Sequence, residues 1–242
     1  MMEPERLDKR VATLLSCSRS VADQYIVSGW VLVDGEIIEQ PQFKITTQTV
    51  TLHADAKLAE IEPATFLLHK PAGVIAVGEG ADPAARHLLE PAARAAEDSS
   101  GIRALQGHRL RLQVPMPLQT DASGLLVMSQ DWRVVRRLAE DAERLEEEMI
   151  VEVSGELVPY GLALLNHGLS FDGRRIAPMK VSWQNETRLR FAIKGRQPGQ
   201  LESMCKDVGL SVLGMKRIRI GRISMGKLAA GQWRYLRSDE RF

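Results

Sequence analysis

Apolar residues over the first fifty positions change from a helical to an alternating period. Leu7, Val11, Leu14 and Leu15 recur at the spacing of one helix face and predict a short helix. Ser18 or Ser20 can cap a second helix, and Ser20 with Asp23 also has capping-box spacing. Ala22 and Ile26 continue its apolar stripe, and Gly29 suits its C-terminal stop. Trp30 to Val33 and Glu36 to Ile38 flank Asp34-Gly35, and an Asp-Gly pair between β-formers predicts a hairpin. A further strand is expected at Thr49 to His53.

Ala56 to Thr65 reads as a linker, after which Phe66-Leu67-Leu68 forms an apolar strand running into a turn at His69-Lys70-Pro71-Ala72-Gly73. Asp82 to Gln106 is alanine-rich and polar, with part of it expected to be helical. Leu125 to Ser129 predicts a strand, Val134 to Ala142 an amphipathic helix, and Ile150 to Val153 another strand. Arg188 to Ile193 alternates as a half-buried strand should. There is no internal repeat.

Composition narrows the field mostly by exclusion. The formal net charge is +1, so any polyanion surface must come from local clusters. Cys17 and Cys205 are the only cysteines and the five histidines lack ligand spacing, so neither a disulfide framework nor a metal site is expected. The N-terminus lacks a signal-peptide core and no apolar run reaches membrane-spanning length. A reduced, cytoplasmic protein without membrane contact is the expectation.

Three cation clusters stand out. Arg6, Lys9 and Arg10 share a helix face, and Arg19 follows Ser18 at the start of the second helix; such groups can hold phosphates. Glu3, Glu5 and Asp8 lie close by, so a plain solvated face fits the same spacing. Arg217, Arg219 and Arg222 with Lys216 form a second cluster, which could equally be the solvated side of a strand. Arg103, His108, Arg109 and Arg111 form a third.

Two resemblances give these patterns a context. Arg6-Leu7-Asp8-Lys9, Ser18-Arg19, Ala22-Asp23, Ile26, Gly29, Val31, Val33 and Gly35 resemble the alpha-L RNA-binding module, although Asp34 replaces the usual Asn of its turn. This implies RNA contacts from Arg6, Lys9, Arg10, Ser18 and Arg19. Met116 to Val127 resembles the active-site loop of the bacterial ribosomal RNA pseudouridine synthases, Gly-Arg-Leu-Asp-x-x-Thr-Ser-Gly-Leu-Leu, in a register fixed by Leu118 and Ser123-Gly124-Leu125-Leu126. His69-Lys70-Pro71-x-Gly73, Val151-Glu152-Val153, Arg217 to Gly221 and Gly231-Gln232-Trp233-Arg234 extend the likeness through the chain. It implies an α+β protein with an alpha-L module at 4–58 and a synthase-like domain at 64–242, built on a mixed, mainly antiparallel sheet flanked by helices. Further RNA contacts would come from Lys70, Arg217 and Arg219.

The family turns a uridine into pseudouridine without a cofactor, on a nucleotide flipped from its stack. It uses an aspartate, an arginine paired with that aspartate, and a tyrosine that stacks on the base. In this chain the aspartate position is Gln119, the tyrosine position Met149 and the arginine position Glu202; a neighbouring lysine becomes Glu147. An aspartate beside Glu202 would be a disfavoured pair of charges, whereas Gln119 facing Glu202 can form a hydrogen bond. Removing a nucleophile alone costs on the order of a million-fold in turnover in a well-studied protease. The resemblance therefore implies a catalytically inactive, RNA-binding member of the family, with structured ribosomal RNA as partner. Two alternatives stay open: an active synthase whose carboxylate comes from Glu202 or Asp121, and a protein-interaction module using the acidic run Glu146 to Glu148.

Overall fold

A computed structural model describes residues 4–57, 62–77 and 84–242. Residues 58–61 of the expected linker, with the expected module boundary at 58, lie outside the described residues. The chain divides into two compact units, one formed by 1–63 with 103–111 and the other by 64–102 with 112–242.

The first unit runs β1 (Glu5–Arg6), α1 (Leu7–Leu15), α2 (Arg19–Val27), β2 (Val31–Val33), β3 (Glu36–Ile37), β4 (Lys44–Ile45) and β5 (Val50–Leu52). Ser18, not Ser20, caps α2, its hydroxyl accepting from the Val21 N–H at 3.3 Å. Leu7, Val11, Ala22, Ile26, Val31, Val33 and Ile45 form the core. Leu14, expected on the buried face, is exposed. Asp34 and Gly35 both take positive φ (52° and 88°), the type I′ geometry that suits a right-twisted hairpin. Strand β2 lies centrally, antiparallel to β3 and β5.

The segment 103–111 belongs to this unit, which the sequence did not announce. The Arg103 guanidinium lies 3.8 Å from the centroid of the Trp30 ring and donates to the Ser28 and Gly29 carbonyls at the end of α2. His108 beside it is buried, and burial followed by the Arg103 charge depresses its pKa. The cluster expected at 103–111 thus spends Arg103 on a helix C-terminus, where a cation is favoured.

The second unit contains β6 (Thr65–Lys70), β7 (Ser123–Ser129), α3 (Trp132–Glu140), β8 (Glu146–Gly155), α4 (Gly161–His167), β9 (Ser170–Phe171), β10 (Arg174–Arg175), β11 (Lys180–Asn185), β12 (Arg188–Lys194), α5 (Gln200–Asp207), β13 (Leu210–Ile220), β14 (Ile223–Ser224) and β15 (Trp233–Tyr235). Its eight-stranded sheet has the order β11-β12-β8-β13-β7-β6-β15, with β14 added to β13. Only the β13–β7 pairing is parallel, so the sheet is mixed and mainly antiparallel. Of the stretch Asp82 to Gln106, expected to be partly helical, the described residues before Arg103 form short 3-10 turns at Ala84–Leu88 and Pro91–Ala93.

At the parallel pairing Gly124 lies opposite Arg217 with φ +107°. A Cβ there would sit 2.2 Å from the Arg217 carbonyl oxygen, so only glycine permits these backbones to approach. This crossing positions the loop before β7 against the middle of β13.

Candidate functional site

The loop Pro115–Ala122 enters β7 and carries Gln119. Lys70, at the end of β6, is fully buried and donates to the carbonyls of Pro71 (2.9 Å), Val74 (2.8 Å) and Thr120 (3.1 Å). Its three N–H donors are thereby used, and the Gly73 N–H reaches the same Thr120 carbonyl at 2.7 Å. Burial depresses the Lys70 pKa, with the nearby Asp121 charge opposing the shift. The expectation that Lys70 meets RNA is corrected: the ammonium has no route to solvent, and it fixes the loop instead.

Gln119 points across to the first turn of α5, where its Nε2 donates to Glu202 Oε1 at 3.1 Å. Gln119 Oε1 and Glu202 Oε2 are buried without a hydrogen-bond partner. Cys205, one turn further along α5, is buried, and burial with the Glu202 charge pushes its thiol up to about 12. A cavity of about 470 Å³ opens beside Gln119, between Ile75 to Val77, Pro115 to Thr120 and Gly195 to Pro198. Met149 is fully buried; the residue of its strand that lines the cavity is Glu147.

The cavity floor carries three charges. Arg217, with 1% of its side chain exposed, donates from Nη1 to Glu147 Oε2 at 2.8 Å, from Nε to the Leu125 carbonyl at 2.8 Å and from Nη2 to the Met116 carbonyl at 2.7 Å. Arg196 Nε lies 4.0 Å from the other Glu147 oxygen, an ion-pair distance, and makes no hydrogen bond among the described residues. Desolvation lowers the Arg217 pKa against the pull of Glu147, yet a guanidinium stays charged at any physiological pH. Arg217 therefore locks the loop 116–125 to the sheet, and its expected contact with RNA is corrected by complete burial.

Arg219 faces the other way, past an irregularity in the ladder between positions 217 and 219. It pairs with Glu146 and with Glu148, the latter at 2.8 Å, and Glu148 is also bridged by Arg190. Burial would raise the Glu148 pKa, but these two arginines outweigh it and hold the carboxyl below its ordinary value. An RNA contact from Arg219 would have to compete with these two carboxylates. The run Glu146 to Glu148, offered by the sequence as a surface for a protein partner, is paired with Arg190, Arg217 and Arg219 of the neighbouring strands. Asp121, the other candidate carboxylate, is exposed.

In the first unit the expected basic face is present. Arg6 and Arg19 share Asp8 at 2.9 and 3.5 Å, and Lys9 and Arg10 share Glu5 at 3.5 and 2.8 Å. Four cations against two carboxylates leave a positive surplus. The carboxyl of Asp23 behind them is raised by burial and by the Asp8 charge, and its Oδ1 is buried without a partner. Asp8 is itself buried, but the Arg6 and Arg19 side chains are more than half exposed, so these cations stay open to solvent.

Residues 5–50 match the S4 domain. Over 241 residues the chain is 26% identical to a ribosomal small subunit pseudouridine synthase A of Salmonella typhimurium, covering 97% of each protein. It is 24% identical over 246 residues to a ribosomal large subunit pseudouridine synthase B of Bacillus subtilis, covering 98% of this chain and 93% of that protein. A solved pseudouridylate synthase shares the fold with a TM-score of 0.60 at 20% identity, over 96% of this chain and 95% of the other. The chain is thus similar along its whole length to bacterial ribosomal pseudouridine synthases, with an S4 domain at its head and the pseudouridylate synthase fold behind.

Proposed function

We propose that this protein binds ribosomal RNA through its S4 domain without isomerising uridine, as a non-catalytic member of its family working in the cytoplasm. One observation carries the reading. Where the family pairs an aspartate with an arginine, Gln119 donates a hydrogen bond to Glu202. An amide has no nucleophilic charge, and Glu202 reverses the charge that would stabilise an aspartate. Met149 supplies no aromatic ring for a base to stack on. The RNA partner is supported by the S4 match and by the two named relatives, which are ribosomal pseudouridine synthases.

A second reading rests on Glu202 Oε2, a buried carboxylate oxygen with no partner. It could supply the missing charge in an active enzyme. One experiment separates the two. Pseudouridines are mapped in ribosomal RNA from cells with and without the gene, and in transcript RNA incubated with the purified protein. Identical maps are expected. A site that vanishes on deletion and returns with wild-type protein, but not with Glu202→Gln, would establish the enzyme reading.

A further inference from the structure

A second cavity, of about 640 Å³, lies at the C-terminal end of the second unit and shares no residue with the cleft beside Gln119. It is lined by the β13–β14 turn, the turn that follows β14, and the last residues of the chain. Five cations and three acids contribute to its walls. Two of the acids are already engaged: Glu240 takes a bidentate pair from Arg234 at 2.6 and 2.8 Å, and Asp239 binds Arg237 at 2.9 Å. Arg222 and Lys227 are exposed and make no ion pair among the described residues. Arg241 spends only Nη1, on the carbonyls of Ser238 and Glu240. Among the described residues, Glu97 is the lining carboxylate that makes no ion pair. The surplus is therefore positive and consists of donors, with the hydroxyls of Ser99 and Ser224 beside it.

We propose that this groove is a docking site for the phosphodiester backbone of RNA, with Arg222, Lys227 and Arg241 as the phosphate contacts. Phosphate oxygens only accept hydrogen bonds, which matches a wall of unspent donors. An extended peptide would also bring N–H groups, for which the groove offers little beyond Glu97. The inference rests on the RNA-binding reading above and moves the second RNA surface away from Arg217 and Arg219, whose guanidinia are committed elsewhere.

The test measures binding of the full chain to a transcript of small-subunit ribosomal RNA across a salt series. Each phosphate contact contributes about 0.9 to the slope of log affinity on log salt, so the triple variant Arg222→Gln, Lys227→Gln, Arg241→Gln is expected to flatten the slope by about 2 to 3 and weaken binding at least about tenfold. Glu97→Lys, which adds a cation to the same wall, is expected to steepen the slope by about 0.9. If both slopes equal that of the wild type while Arg19→Gln flattens it, the groove assignment is overturned and the S4 surface stands alone. Wild-type protein with no salt-dependent affinity for the transcript would overturn the RNA-binding reading itself.

Discussion

Arg19 in the first unit and Arg217 in the second each pair with one carboxylate, yet the two contacts do different work. Arg19 reaches Asp8 at 3.5 Å with more than half of its side chain in solvent, whereas Arg217 meets Glu147 at 2.8 Å with 1% exposed. The Arg19 side chain stays open to solvent although Asp8 is itself buried. Arg217 is almost wholly covered, so breaking its pair with Glu147 leaves a buried charge without compensation. Residue type and charge are the same and both carboxylates are buried, so the exposure of the arginine itself is what separates the two pairs.

Arg217→Ala attacks the buried side of this contrast and has the largest expected effect. It should destabilise the protein by about 3–5 kcal/mol, read from the urea midpoint, because Glu147 and two backbone carbonyls lose their donors. A loss below about 1 kcal/mol would show that the pair is hydrated and the contrast wrong. Lys70→Met should cost about 1–3 kcal/mol by the same measurement, since three loop carbonyls lose a common donor. Residual RNA affinity in the folded fraction should be unchanged in both variants.

Acid sensitivity should cut across the comparison, because each unit holds one buried histidine. Burial depresses the pKa of His69, against the pull of the Leu228 carbonyl 2.7 Å from Nδ1, and burial likewise depresses His108. Unfolded histidine takes up a proton near about pH 6.5, so the unfolded state binds more protons as pH falls. The stability these groups contribute is present above that pH and is lost below it, by at most about 1.4 kcal/mol per pH unit for each group. Urea midpoints compared at pH 7 and pH 5 should show the loss, and His69→Asn should reduce it. The smallest change in stability is expected for Arg19→Gln, below about 1 kcal/mol. That variant should nevertheless flatten the salt dependence of RNA binding by about 0.9, a loss of function without a loss of fold.

Features written within a few residues were legible in the sequence. The Asp34-Gly35 turn needs two positive φ values, and those residue types announce it. The spacing in the first unit located both helices, although either Ser18 or Ser20 could have been the cap. The Gln119–Glu202 hydrogen bond was legible for another reason. Family register placed both positions, and chemistry then paired an amide with a carboxylate. What sequence could not show was the fate of long cations. Arg217 finds its partners 70, 92 and 101 residues away, and Lys70 reaches a carbonyl 50 residues on. Arg103 reaches back 74 residues to the end of α2. No local pattern separates such an arginine from one on a solvated face.

Gly124 carries a consequence for how such chains are recognised. The Ser-Gly-Leu-Leu signature lies next to the reaction centre in sequence, but its glycine is required by the near-contact of two main chains at the Arg217 carbonyl. That requirement is independent of what stands at position 119. A scan that relies on this signature detects a strand crossing and remains blind to whether anything reacts beside it; sorting catalysts from binders requires reading positions 119 and 202 together.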